Sequence, residues 1–127
     1  MVRGAPGKSV VGLVEHVKVT GENAAVVRAL FDTGAKSTSI DSAVARRVGL
    51  GKPLRYTTIY SASNIKGVRR PVVRAILEIM GRKFDTEINV QDRSHMRFKM
   101  IVGRNVLSGN FVVDPERHGE AAREAGD

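Results

Sequence analysis

The chain has 127 residues, 42 % of them apolar, which supports one modest hydrophobic core and excludes a second lobe. It contains no cysteine, which excludes disulfides and thiolate metal sites, and no apolar stretch long enough to span a bilayer. The formal net charge of +8 favours polyanionic partners but does not distinguish acidic peptide from nucleic acid or an anionic lipid surface.

The first predicted elements are two strands joined by a hairpin turn. Residues 10–19 have the β-branched, alternating pattern of a strand. Residues 20–23 are Thr, Gly, Glu and Asn, which favour a tight turn, and a second strand is predicted from Ala24 to Phe31. Residues 1–9 precede this pattern and are expected to be flexible.

The second strand runs into the sequence Asp32-Thr33-Gly34-Ala35. This order suits a carboxylate at a sharp turn, because Thr33 supplies a hydroxyl and Gly34 permits backbone torsions closed to other residues. The same triplet also fits an ordinary strand-end turn, in which the Asp32 carboxylate accepts backbone N–H bonds. The triplet by itself therefore leaves both interpretations open.

One helix is predicted, directly after this turn. Asp41 has the short acceptor side chain that caps a helix, and the residues from Ser42 to Val48 can form two turns. Gly49 then supplies the left-handed residue that commonly ends a helix.

A long hairpin and further strands are predicted in the second half of the chain. Residues 56–60 and 71–79 have strand patterns and flank a polar segment of small residues. That segment, 61–70, is expected to form the mobile tip of the hairpin. Residues 84–90 and 99–102 are predicted to be strands of the core.

The last predicted elements are short. Residues 104–107 are predicted to form one helical turn, and 111–113 a final strand. The segment 116–127 is charged and rich in small residues, which favours a frayed tail. The folded domain is therefore expected to occupy residues 10–115.

Two segments far apart in the chain carry a resemblance to a known family. They are the Asp-Thr-Gly-Ala turn at 32–35 and the hydrophobic run that ends in Gly103-Arg104-Asn105. Together they resemble the retropepsin family of aspartic proteases, in which these segments pack against each other. Over residues 10–115 the chain is most similar to the branch labelled ATP-dependent zinc proteases, with further matches at 63–64, 70–73, 92–93 and 95–98.

The resemblance implies an all-β, retropepsin-like closed barrel with one short helix and one lobe per chain, acting as an aspartic peptidase. Its catalytic residues would be Asp32, Thr33 and Gly34. Asp114 precedes proline rather than Thr-Gly, so a homodimer must supply the second aspartate. Two neighbouring carboxylates cannot both ionise easily; the pair would share one proton and activate water against a peptide carbonyl.

The hairpin tip corresponds to the flap that closes over substrate in this family. The residues expected to bind substrate lie on it or beside the turn: Ala35, Lys36, Ser63, Asn64, Lys66, Arg69 and Arg70. Their positive charge, with that of Arg74, Arg93 and Arg97, favours acidic peptides, although such cations also occur on solvated strand edges. The branch is associated with ATP-grasp ligases that add glutamates to a ribosomal protein, which makes glutamate-rich peptides the favoured substrate.

The chain departs from the viral members at one position of the site. They place an acid after Asp-Thr-Gly-Ala that pairs with the arginine of Gly-Arg-Asn, whereas Lys36 and Ser37 follow here. Gly103, Arg104 and Asn105 are expected to support the turn and the dimer. Arg104 would then meet solvent or another acid, for which the candidates are Asp41, Asp92 and Asp114.

No metal or other cofactor is expected. The histidines, His16, His95 and His118, are widely separated, and no phosphate-binding glycine loop is present, so any ATP dependence would reside in a partner.

The first alternative function is a catalytically silent retropepsin fold that binds an acidic protein. Nucleic-acid binding is disfavoured, because four Phe, two Tyr and no Trp offer little stacking surface. With no apolar signal core near its start, the chain is expected to be cytoplasmic and not inserted in a membrane.

Overall fold

The structure of the protein, a computed structural model, describes residues 7–117. Within that range nine strands and two helices follow one another. In chain order they are β1 Ser9–Val11, β2 Val14–Thr20, β3 Ala24–Phe31, β4 Ser39–Asp41, α1 Ser42–Val48, β5 Arg55–Ser61, β6 Asn64–Ile79, β7 Arg82–Gln91, β8 Met100–Val102, α2 Arg104–Leu107 and β9 Phe111–Val113. The predicted flexible start and frayed tail fall mostly on residues 1–6 and 118–127, which lie outside the described part.

Seven of these strands form one sheet that closes on itself. Its order is β2-β3-β8-β4-β7-β6-β5, and β2 also pairs with β6, where Val19 lies opposite Leu77. This pairing joins all of these strands except β5 into a ring, while β5 pairs with the first half of β6. β1 and β9 pair in parallel as a separate sheet. The predicted all-β fold with a closed sheet and one lobe is confirmed, with α1 as the one short helix and α2 as the single helical turn predicted for 104–107.

The hydrophobic core is formed by alternate residues of the long strands, because side chains on a strand alternate between its two faces. Val19 of β2 and both Leu77 and Ile79 of β6 are fully buried, and Phe31 at the end of β3 is 2 % exposed. Well-packed side chains of this kind hold their backbone in place. The core therefore fixes the strand that leads directly into Asp32.

The strand predicted for 10–19 is two strands, separated at Gly12 and Leu13. β1 pairs with β9, whereas β2 enters the ring. At the break, the Gly12 N–H donates to the Glu15 carboxylate and the Phe31 N–H donates to the Leu13 carbonyl, both at 2.8 Å. Apolar residues continue on both sides of the break, so the sequence pattern alone does not reveal it.

The tip of the long hairpin is shorter than predicted. Ala62 and Ser63 alone connect β5 to β6, and most of the segment 61–70 belongs to β6, a strand of 16 residues. Gly67 lies within that strand at φ 84°. A Cβ at Gly67 would overlap the side chain of Thr58 on β5, so this part of the hairpin requires glycine both for its torsion and for its space.

The predicted helix is confirmed as α1, with both of its end signals. Asp41 precedes it in extended backbone, and the Asp41 carboxylate accepts the N–H of Ala43 at 3.1 Å. Gly49 follows it in the left-handed conformation, at φ 67°. The helix has 7 residues and buries Val48 against the core. No helix in the described range is both long and apolar enough to cross a membrane.

Replacing Asp41 by alanine is expected to destabilise the protein by about 2 kcal/mol or more, because this buried carboxylate serves two backbone donors. Besides capping α1, it accepts the N–H of Arg93 at 2.7 Å. Urea unfolding of Asp41→Ala beside wild type measures the loss. Asp41→Asn is the control, since its amide oxygen keeps one acceptor and should restore part of the stability. A loss below about 0.5 kcal/mol in Asp41→Ala would contradict this role.

Candidate active site

The Asp-Thr-Gly turn begins where β3 ends. The Asp32 N–H donates to the Val102 carbonyl of β8 at 2.9 Å, and the Asp32 carbonyl accepts the N–H of Ala35 at 3.1 Å. One carboxylate oxygen, Oδ1, accepts the N–H of Gly34 at 2.9 Å. Asp32 is half-buried, whereas Thr33 and Gly34 are exposed. The turn thus holds the carboxylate in a defined orientation at the end of a packed strand.

The role predicted for Gly34 in backbone torsion is wrong. Its φ lies outside the left-handed region, which among the described glycines is occupied at Gly7, Gly49, Gly67, Gly81 and Gly109. A Cβ on Gly34 would instead lie 3.2 Å from Oδ1 of Asp32. A side chain at this position would therefore crowd the carboxylate, whereas glycine leaves it undisturbed.

A second segment, Gly103-Arg104-Asn105 at the start of α2, supports the turn. The Arg104 N–H donates to the Ala35 carbonyl at 2.8 Å, and the Asn105 N–H donates to the Lys36 carbonyl at 3.2 Å. A Cβ on Gly103 would lie 2.9 Å from the Ala35 carbonyl oxygen. Only a glycine allows the two segments to approach this closely.

Side chains complete the contact between these segments. Thr38, which is fully buried, donates from Oγ1 to Oδ1 of Asn105 at 2.8 Å and accepts the N–H of Gly103 at 3.1 Å. The Asn105 amide nitrogen also donates to the Glu87 carbonyl of β7 at 3.0 Å. The predicted packing of the two segments against each other is therefore present within one chain.

The acids considered as partners of Arg104 do not pair with it. Its Nη1 donates instead to the Thr33 carbonyl at 3.0 Å, so Arg104 fastens the turn through the main chain. The three candidate acids accept from other groups: Asp41 from Ala43 and Arg93, Asp92 from Ser94, and Asp114 from Glu116.

The turn opens onto a cleft of about 830 Å³, a volume within the usual range for ligand sites. Its walls come from the turn, from β5 and β7, and from the start of α2. The predicted site residues that line it are Asp32, Gly34, Ala35, Lys36, Arg104 and Asn105. Strand β5, on the hairpin, contributes the continuous stretch 57–61. The cleft therefore places an edge strand of the hairpin across from the carboxylate-bearing turn.

Five residues predicted to bind substrate do not line this cleft: Ser63, Asn64, Lys66, Arg69 and Arg70. They lie on the hairpin, where the Arg69 guanidinium stacks over the ring of Tyr56 at 4.2 Å. Arg74 pairs with Asp85 on the exposed surface. The cations that line the cleft are Lys36, Arg55, Arg93 and Arg104. A role of the five hairpin residues in substrate binding stays a prediction.

Two polar residues of the cleft, Asn89 and Gln91, were not identified from the sequence. The Ser39 hydroxyl donates to Oδ1 of Asn89 at 2.8 Å, and Nε2 of Gln91 donates to the Ser39 hydroxyl at 2.9 Å. Asn89 is 2 % exposed, so its amide is buried and satisfied. The available signal was polar residues at alternate positions of β7 beside the buried Ile88, a pattern that continues to Arg93.

An ion pair between two residues that line the cleft joins β5 of the hairpin to β7. The Arg55 guanidinium contacts the Glu87 carboxylate, which raises the pKa of Arg55 and lowers the pKa of Glu87. The pair is solvent-exposed and contributes little to stability. Because the folded-state pKa of Glu87 is lowered, the link persists at neutral pH and is lost as the pH falls through that lowered value.

A smaller depression of about 500 Å³ also borders Asp32, and its lining is mostly apolar. It is lined by Leu13, Leu30, Phe31, Asp32, Thr33, Val113 and Pro115. Leu13 is 39 % exposed, which leaves apolar surface uncovered beside the turn. Among residues 7–117, no three His, Asp or Glu side chains come together as a group that could hold a metal ion.

Comparison with known proteins gives a family match over most of the chain. A family model named RimB-like and described as the retropepsin-like aspartic endopeptidase RimB matches residues 45–124. The matched range contains the hairpin and Gly103-Arg104-Asn105, and it begins after the Asp-Thr-Gly turn.

Similarity to solved structures of other proteins shows the fold of this chain. EIAV protease complexed with the inhibitor HBY-793 has a TM-score of 0.61 and 20 % identity, covering 84 % of this chain and 91 % of that one. A Legionella pneumophila protein of unknown function has a TM-score of 0.62 and 21 % identity, covering 89 % and 98 %. Simian foamy virus protease has a TM-score of 0.52 and 15 % identity, covering 72 % and 88 %. The predicted retropepsin-like fold is confirmed.

One curated relative matches part of the chain. A probable alpha-L-glutamate ligase from Shewanella pealeana is 28 % identical over 54 residues. These residues make up 42 % of this chain and 12 % of the ligase, so the chain spans a small part of that relative's length.

Proposed function

Because the chain belongs to the RimB-like family of retropepsin-like aspartic endopeptidases, we propose that it hydrolyses peptide bonds as a homodimer with Asp32 of each chain in one shared site. The observation that carries this proposal is the position of Asp32 at the cleft, with Oδ1 fixed by the Gly34 N–H. Its other oxygen, Oδ2, has no hydrogen-bond partner among residues 7–117 and remains available for water or a second carboxylate.

The proposed mechanism is general acid–base catalysis by the two aspartates. Two carboxylates at hydrogen-bonding distance share one proton, because both cannot ionise without strong repulsion. The ionised Asp32 takes a proton from a water molecule, and the water oxygen attacks the peptide carbonyl carbon. The protonated Asp32 of the other chain donates its proton to the carbonyl oxygen. Collapse of the tetrahedral intermediate then breaks the C–N bond: the amine leaves with the proton held by the pair, and a hydroxyl of the intermediate returns its proton to the other aspartate as the carboxylic acid forms.

The residues next to Asp32 would position the dimer and the substrate. Thr33 is exposed at the turn, and by resemblance its hydroxyl would bond across the two-fold axis. Gly34 lines the cleft and would offer its carbonyl to the substrate backbone. The uncovered apolar surface around Leu13 and Val113 supports a contact with a second chain at this end of the molecule.

The favoured substrates are acidic peptides, in particular glutamate-rich ones. The chain has a net charge of +8, and four cations line the cleft against two acids, Asp32 and Glu87. The partial similarity to a probable alpha-L-glutamate ligase supports an association with an ATP-grasp ligase, since such a ligase makes the bonds that this protein would cut.

A catalytically silent module that binds an acidic protein is the second candidate. The observation that favours it is Lys36, which lines the same cleft as Asp32 and follows the Asp-Thr-Gly-Ala sequence where viral members carry an acid. In this case the cleft binds a peptide without cutting it.

Hydrolysis of a glutamate-rich peptide by the purified protein tests the choice between these functions. We expect cleavage at mildly acidic to neutral pH, slower cleavage of a neutral peptide of equal length, and inhibition by a statine-type compound that mimics the tetrahedral intermediate. Binding of the acidic peptide without cleavage would favour the silent module, and equal cleavage of both peptides would refute the acidic preference.

A further inference from the structure

Arg93 differs from the other cations of the cleft in its burial. It is 6 % exposed, whereas Lys36, Arg55 and Arg104 are all exposed. It follows β7 at the next alternate position after Gln91, and it lines the cleft that contains Asp32. Burying a guanidinium costs free energy unless its N–H donors have acceptors. Any N–H donors of Arg93 that lack an acceptor therefore indicate what kind of ligand the side chain can bind.

The Arg93 side chain is anchored at one end only. Its Nε donates to the Phe98 carbonyl at 3.0 Å, and its backbone N–H is held by Asp41 at 2.7 Å. Among residues 7–117, Nη1 and Nη2 have no hydrogen-bond partner, and both retain some contact with solvent. The planar end of the guanidinium is therefore fixed in direction and open to a ligand.

The other cleft cations already have partners or remain mobile, whereas the Arg93 guanidinium interacts with the Asp41 carboxylate through charge alone, without a side-chain hydrogen bond to it. Arg55 pairs with Glu87, and Arg104 donates to the Thr33 carbonyl. Lys36 is exposed on a flexible stem, so it contributes charge without fixed geometry. Two adjacent free N–H donors on a rigid guanidinium match the two oxygens of a carboxylate, which Arg binds as a parallel pair of hydrogen bonds.

We propose that Arg93 is a specificity-determining residue that binds an acidic side chain of the peptide substrate in the cleft. This inference rests on the proposed function, because it places the peptide across Asp32. Substrate binding would bring the carboxylate to Nη1 and Nη2, where it would replace the little solvent that reaches a guanidinium already largely buried and oriented by the hydrogen bond of Nε. The hairpin cations would then contribute general attraction rather than selection.

The test compares the binding of two fluorescent peptides that differ only in Glu or Gln at each acidic position. Asp32→Asn protein is used so that the peptides are not cut. We expect the Glu peptide to bind about 10- to 100-fold more tightly, and adding Arg93→Gln to reduce this preference to about threefold or less. Arg46→Gln, which removes an exposed charge on α1 away from the cleft, is the matched control and should keep the preference.

Arg93→Lys is a second variant that tests the proposal if Arg93→Gln does not fold. It keeps the positive charge but lacks the planar pair of donors. It should leave a preference that is weaker than that of the parent protein but stronger than that of Arg93→Gln. An unchanged preference in either folded Arg93 variant, or an equal loss in Arg46→Gln, would overturn the assignment. Absence of peptide hydrolysis by wild type would instead refute the proposed function, while the binding comparison would still decide the role of Arg93.

Discussion

Asp32→Asn is expected to reduce peptide hydrolysis by about a thousandfold or more while the protein still folds and dimerises. The loss follows because asparagine can neither accept the proton of the attacking water nor share a proton with a partner aspartate. The fold should survive, because the amide oxygen of asparagine can still accept the Gly34 N–H that Oδ1 accepts at 2.9 Å. Rates for matched amounts of both proteins, with their solution masses, measure the effect.

Asp85→Asn is the control for this variant. Asp85 pairs with Arg74 on the exposed surface and does not line the cleft, so hydrolysis should stay within about twofold of wild type. Retention of more than about a tenth of the activity in Asp32→Asn would remove Asp32 from the chemistry.

Gly103→Ala is expected to destabilise the protein by about 3 kcal/mol or more. A Cβ at this position would overlap the Ser37 carbonyl and lie 2.9 Å from the Ala35 carbonyl oxygen. Both obstacles are backbone atoms, which move only if the Asp-Thr-Gly turn moves away from α2. The midpoint of urea unfolding measures the loss, and any folded protein should also have reduced hydrolysis because Asp32 is displaced.

Gly51→Ala is the matched control, since a Cβ at Gly51 would meet nothing within 4 Å. It should leave stability unchanged or slightly raised, because alanine restricts the unfolded chain. Equal stability of Gly103→Ala and wild type would contradict the requirement for close contact between the turn and α2.

The parts of the fold that were predicted correctly have local chemical signals. The bounds of α1 follow from Asp41 and Gly49, which satisfy its two ends, and the α2 turn and β9 also match their predicted ranges. The parts that were mispredicted depend on distant partners. β4 has only 3 residues and exists because it pairs with β7 and β8, and the break between β1 and β2 exists because β1 pairs with β9.

The residues of the candidate site likewise fall into those that the sequence identifies and those that depend on distant strand pairing. Asp32 and Gly103-Arg104-Asn105 could be identified because the resemblance rests on their residue types. The partner of Arg104 could not, because a main-chain carbonyl as acceptor leaves no mark on the sequence. Asn89 and Gln91 form a row with Ser39 only through the pairing of β4 with β7. The tertiary pairing of strands therefore determined which polar residues face the cleft.

The shared Asp32 site is tested most directly by mixing wild type with an excess of Asp32→Asn protein and allowing the subunits to exchange. If one site needs an aspartate from each chain, mixed dimers are inactive, and about a ninefold excess of the variant should lower the wild-type activity to about one tenth. Activity that stays unchanged after exchange has been verified would show that each chain acts alone, and it would contradict the proposed mechanism.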